Sequence, residues 1–138
     1  MKLNYVVTDC GAQFNNEGKR LEPDVPFNAL IGSLMYLAMC TRPDITRAVA
    51  LLSRFESGPC VERWKAAKSV LRNLAGTKNL GLFYGDCTQV FVGYTHSDFA
   101  GDVNQRKSIS DFVFLYGGAA VAWSSKLQTI CCYECLRG

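Results

Sequence analysis

Two rhythms of apolar residues divide this chain. The first has a helical period and runs through residues 27–76. Residues 27–40 are apolar at nearly every position and predict a short helix, with Gly32 expected to allow close packing. Thr41-Arg42-Pro43-Asp44 breaks that helix and starts the next. Pro43 suits a first helical position, and Asp44 suits the positive end of the helix dipole. Ile45, Ala48, Val49, Leu52 and Phe55 then recur at three- and four-residue spacing on one face. After Ser57-Gly58-Pro59 a third helix is expected, burying Val61, Trp64, Ala67, Leu71 and Leu74. Arg63, Lys65, Lys68 and Arg72 fall on its wetter flanks. Gly76 is placed to end it in a left-handed conformation.

Beyond Thr77 the rhythm becomes strand-like. Residues 80–84 are a short candidate. In a longer one Val90, Val92, Tyr94 and His96 alternate with Phe91, Gly93, Thr95 and Ser97. Residues 111–116 and 120–124 are two more, joined by Gly117-Gly118, a strong two-residue hairpin signal. Helices first and an antiparallel meander second give an α+β class: about three helices, then a three-stranded, incomplete sheet. The expected organisation is a loosely ordered leader over 1–26, a helical segment over 27–79 and a sheet segment over 80–138.

Composition narrows the function. A chain of 138 residues, 49% apolar and 20% charged, builds one modest domain or two small ones. Its net charge of +3 permits phosphate contact without demanding it. Seven cysteines, an odd number at irregular spacing with no apolar signal segment ahead of them, read as free thiols. Cys132-x-x-Cys135 has no second pair to complete a zinc site. The expected location is therefore cytoplasmic or nuclear rather than secreted. The apolar run over 29–40 falls short of the ~20 residues that cross a bilayer, so no membrane partner is expected.

A series of blocks adds a family. They begin with Ile31-Gly32-Ser33-Leu34-Met35-Tyr36-Leu37-Ala38, Thr41-Arg42-Pro43-Asp44-Ile45 and Leu52-Ser53-Arg54-Phe55. Trp64-Lys65-Ala66-Ala67-Lys68, Val70-Leu71-Arg72, Gly76-Thr77-Lys78 and Gly81-Leu82-Phe83-Tyr84 follow. The residues from Gly93 to Asp102, then Arg106-Lys107-Ser108 and Trp123-Ser124-Ser125-Lys126, complete them. In this order and spacing the chain resembles the Pol polyprotein of copia-type retrotransposons, at the junction of reverse transcriptase and ribonuclease H. The resemblance implies that residues 27–79 are a thumb or connection segment of the transcriptase. It implies that residues 80–138 are the opening strands of a truncated, degenerate ribonuclease H.

Ribonuclease H hydrolyses a phosphodiester with two metal ions about 3.5–4 Å apart. The family uses Mg2+, which takes oxygen ligands. On the family pattern, the first metal-binding aspartate is matched here by His96. Asp98 and Asp102 match positions that do not hold metal. Asp98, two residues after His96, remains a weak candidate ligand. After Gln128-Thr129 the family's helix glutamate is not matched, since Glu134 is out of register. The resemblance thus implies no catalytic residues and no cofactor in this chain. Its alternatives are a residual metal-dependent nuclease at His96 and Asp98, or a nucleic-acid-binding module on the basic helix over 61–75. Arg63, Lys65, Lys68, Arg72 and Lys78 would then face an RNA–DNA hybrid or DNA, although a solvated helix face is the favoured reading. The incomplete sheet leaves an edge open to self-association. Cys60 stands where the family offers a capping hydroxyl, and Asp111 where it has glycine.

Overall fold

The structure is a computed structural model describing residues 19–85, 90–98 and 107–131, apart from the side chains of residues 130 and 131. It divides between Gly81 and Leu82 into two compact units, a helical one and a sheet one. The class is α+β with an incomplete sheet, as the rhythm of the sequence predicts.

The helical unit holds α1 (Phe27–Cys40), a 3-10 turn (Pro43–Ile45), α2 (Thr46–Ser53) and α3 (Val61–Gly76). Phe27, Ile31, Leu34 and Ala38 repeat at helical spacing and bury one side of α1 against Ile45, Val49, Leu52, Ala67 and Val70. Burying a side chain of this size stabilises the fold by about 1.5–3 kcal/mol.

Several local expectations change. Gly32 is not a close-packing site among the described residues: an added Cβ would meet none of their atoms within 4 Å. Helix α3 is rotated about one position from the expected face. Arg63, Ala67 and Val70 are its buried residues, and Leu71 is 40% exposed. The cause is Arg63, whose charge finds partners inside. Its guanidinium carbon lies 3.6 Å from the centre of the Phe55 ring, and its Nη1 donates to the Gly58 carbonyl at 2.7 Å. Gly76 is the last residue of α3 and does not take a left-handed conformation, and Thr77 ends the helix at φ −121°.

Of the leader expected over 1–26, residues 1–18 lie outside the described residues. The next ones are tied down. Arg20 bridges Cys60, Leu21 N–H donates to Pro59, and Val61 N–H donates to the Lys19 carbonyl. Cys60 sits at the N-cap of α3 and supplies no side-chain cap. The Lys19 carbonyl takes the first orphan amide instead, so a backbone contact offsets the missing hydroxyl.

The sheet unit is an antiparallel meander, β1 (Val92–Ser97), β2 (Lys107–Tyr116) and β3 (Ala119–Cys131), in the order β1-β2-β3. Gly117 and Gly118 have φ of 58° and 85°, the paired positive angles of a type I′ turn, which carries the twist between β2 and β3. Both strands of this hairpin run past their expected ends. Residues 80–84, expected as a strand, form none. Tyr84 Oη instead donates to the Ala120 carbonyl at 2.7 Å, and Gly85 N–H donates to Gly117. These bonds lead the chain to the hairpin turn rather than to a sheet edge. Gly93 has a defined purpose, because a Cβ there would lie 2.6 Å from the Phe114 ring. That ring stacks on Phe91 at 5.4 Å between centroids.

Candidate functional site

On β1 the expected metal position is occupied by His96, directly opposite Asp111 on β2, which in turn pairs with Ser125 on β3. Residues paired directly across an antiparallel sheet share a face. His96, Asp111 and Ser125 therefore form one row across three strands, with His96 exposed and Asp111 half-buried. Asp98 lies just beyond the strand and is committed to the backbone. Its N–H donates to the Ile109 carbonyl at 3.1 Å, and its carboxylate accepts the Ile109 N–H. This carboxylate closes the end of the β1–β2 ladder. Among the described residues no three of His, Cys, Asp and Glu gather at one point.

The donor set does not fit a magnesium pair. Such a pair needs several carboxylates in a near-octahedral oxygen shell. The face offers an imidazole, which suits later transition metals, and Asp111 beside it. Asp102, Cys132, Glu134 and Cys135 lie outside the described residues.

The basic helix is sorted by its rotation. Arg63 is 5% exposed and leaves the expected stripe, because its guanidinium is spent on Phe55 and Gly58. Lys65, Lys68 and Arg72 are exposed at three- and four-residue spacing, so they share one face in a row roughly 10 Å long. Lys68 leans toward Trp64, with Nζ 5.7 Å from the ring centre. Lys78 is exposed beyond the helix end. At the start of the row the Glu62 carboxyl is held below its ordinary range. Its own backbone amide is the largest cause, followed by the Cys60 thiol, with Lys65 and Arg63 adding attraction.

One polar cluster escaped the sequence reading. Arg42, 9% exposed, makes a two-pronged bond to Asp44, Nε to Oδ1 at 2.9 Å and Nη2 to Oδ2 at 2.7 Å. The same guanidinium donates to the Thr77 carbonyl at 3.2 Å and to its hydroxyl at 2.7 Å. The bonds to Asp44 raise the arginine pKa above its ordinary value. An arginine two residues before an aspartate was the available signal, but its distant partner Thr77 left none.

A retrovirus-related Pol polyprotein from transposon TNT 1-94 of Nicotiana tabacum is 46% identical over 104 residues, 75% of this chain and 8% of that protein. The corresponding polyprotein from transposon RE2 of Arabidopsis thaliana is 36% identical over 114 residues, 82% of this chain and 8% of that protein. Secreted RxLR effector protein 161 of Plasmopara viticola is 45% identical over 106 residues, 76% of this chain and 75% of that protein. The chain thus spans less than a tenth of the transposon polyproteins it matches. No family model matches it, and no solved structure does. No helix among the described residues is long and apolar enough to cross a membrane.

Proposed function

The chain belongs to the Pol polyprotein family of copia-type retrotransposons, and on that premise we propose that it is a fragment from the junction of reverse transcriptase and ribonuclease H, inert as a nuclease. The helical unit corresponds to the end of the transcriptase and the meander to the first strands of the hydrolase. The observation that carries the loss of activity is the row His96–Asp111–Ser125, with Asp98 bound to the Ile109 backbone. An imidazole stands where two-metal hydrolysis needs a carboxylate. A cytoplasmic or nuclear location is part of this reading. The effector name of the Plasmopara relative is not carried over. Matched stretches of 104 and 106 residues in a chain of 138 must overlap over more than half of it, so that relative shares Pol-like sequence. The string Arg-x-Leu-Arg occurs nowhere in this chain.

Incubation of the purified chain with an RNA–DNA hybrid and Mg2+, Mn2+ or Zn2+ tests inertness. No cleavage above a protein-free control is expected. Cleavage that His96→Ala abolishes overturns the reading.

A second reading has its own observation, the exposed row Lys65, Lys68 and Arg72. The like charges at 68 and 72 cost a helix about 0.2–0.5 kcal/mol, a cost that a bound polyanion reverses. Used on a hybrid duplex, three such cations give a plot of log affinity against log salt a slope of about −3. Lys65→Ala with Lys68→Ala should remove about two units of that slope. A salt-independent affinity contradicts this reading.

A further inference from the structure

Strand β1 is one edge of the sheet formed by the described residues, and its hydrogen-bonding pattern says which of its groups face away from β2. Asp98 N–H donates to Ile109, its direct partner by extension of the β1–β2 register. In an antiparallel pair such bonded positions recur at every second residue. Val92, Tyr94 and His96 therefore turn their backbone groups toward β2. Gly93, Thr95 and Ser97 turn theirs away from the sheet.

We propose that this edge is the site at which a second copy of the chain pairs, antiparallel, about a twofold axis at Thr95. The spacing is self-complementary. Thr95 meets Thr95 of the second copy, and Gly93 meets Ser97 in both directions. Each pair exchanges two bonds, roughly six in all. The intervening pairs place Tyr94 opposite His96 of the other copy, so two exposed rings cover each other. Tyr94, now 58% exposed, gains a neighbour on that face.

Charge favours this occupant. Val92–Ser97 contains no Lys, Arg, Asp or Glu, so two copies approach without repulsion between such groups. Natural edges are protected by charges and bulges. The opposite edge, β3, carries Lys126 and a register shift where Leu115 pairs with Ala120, leaving Val121 as the extra residue. Among the described residues the two edges are thus unequal, β1 having neither such a charge nor a register shift.

Sedimentation velocity of the full chain over a concentration series tests this, together with amide hydrogen exchange. The wild type should sediment as a reversible dimer of twice 15.3 kDa. Raising its concentration should slow exchange at Gly93, Thr95 and Ser97. Thr95→Pro removes the central outward N–H without touching a bond to β2, and it should sediment as a monomer of unchanged circular dichroism. Thr95→Lys, which keeps the N–H but sets two charges face to face, should do the same. Ser125→Pro, on the outward side of β3, should remain dimeric. A wild type that is monomeric throughout overturns the proposal. So does a dimer that survives both Thr95 variants, or one that Ser125→Pro dissolves equally.

Discussion

Arg42 holds the end of α3 from 35 positions away, donating to both the hydroxyl and the carbonyl oxygen of Thr77. The Thr77 hydroxyl passes its own hydrogen to the Asn73 carbonyl at 2.7 Å. One guanidinium thereby joins the break after α1 to the last turn of α3. Asp44 fixes its orientation with two parallel bonds, the geometry in which arginine and carboxylate are best matched.

Removing Asp44 should therefore cost more than an exposed ion pair would. The side chains of Arg42 and Asp44 are 11% and 19% exposed, so Asp44→Ala leaves a mostly buried cation held, among the described residues, by Thr77. We expect a loss of about 2 kcal/mol in urea unfolding followed at the helical signal. Thr77→Val should lose about 1 kcal/mol, and the double variant less than the sum.

Two helical glycines are open among the described residues. A Cβ at Gly32 or Gly76 meets none of their atoms within 4 Å, and neither glycine has a positive φ. Gly32→Ala and Gly76→Ala should each raise stability, by about 0.5–1 kcal/mol at the helix interior and less at its end. Thermal unfolding checks this, and a lowered midpoint for Gly32→Ala would contradict the open surface on α1.

Acid should weaken the start of α3. The Glu62 carboxyl is held below its ordinary value of 4.5 by its own backbone amide and then by the Cys60 thiol. A depressed acid contributes its full stabilisation above the unfolded value. That contribution is lost as the pH falls through the lower folded value. Glu62→Gln should flatten the stability profile below pH 4.5, leaving the neutral region little changed. Parallel profiles for the two proteins would show that Glu62 has no part in the acid limb.

Much of the fold was legible because local signals agreed. The repeat of Phe27, Ile31, Leu34 and Ala38 set the buried side of α1, and Gly117-Gly118 could hardly be anything but a tight hairpin. The facing of α3 was not legible, since an arginine counts as wet until a ring and a carbonyl receive it. The true lengths of β2 and β3 were hidden by Ser108, Ser110, Ser125 and Lys126, poor strand formers held by ladder bonds to the neighbouring strand. His96 stood out through the family pattern. Its pairing with Asp111 did not, because register across a connection of unknown shape cannot be read from spacing. The same holds for Asp98, whose carboxylate looked available in sequence and is taken by Ile109.

The most direct test of the proposal that this face holds no catalytic metal ion is paramagnetic broadening by Mn2+ in amide spectra of the full chain. No selective broadening is expected at His96, Asp98 or Asp111 when Mn2+ is added at millimolar concentration. Selective loss of those signals, restored by excess Mg2+, would place a working ion on this face and contradict it.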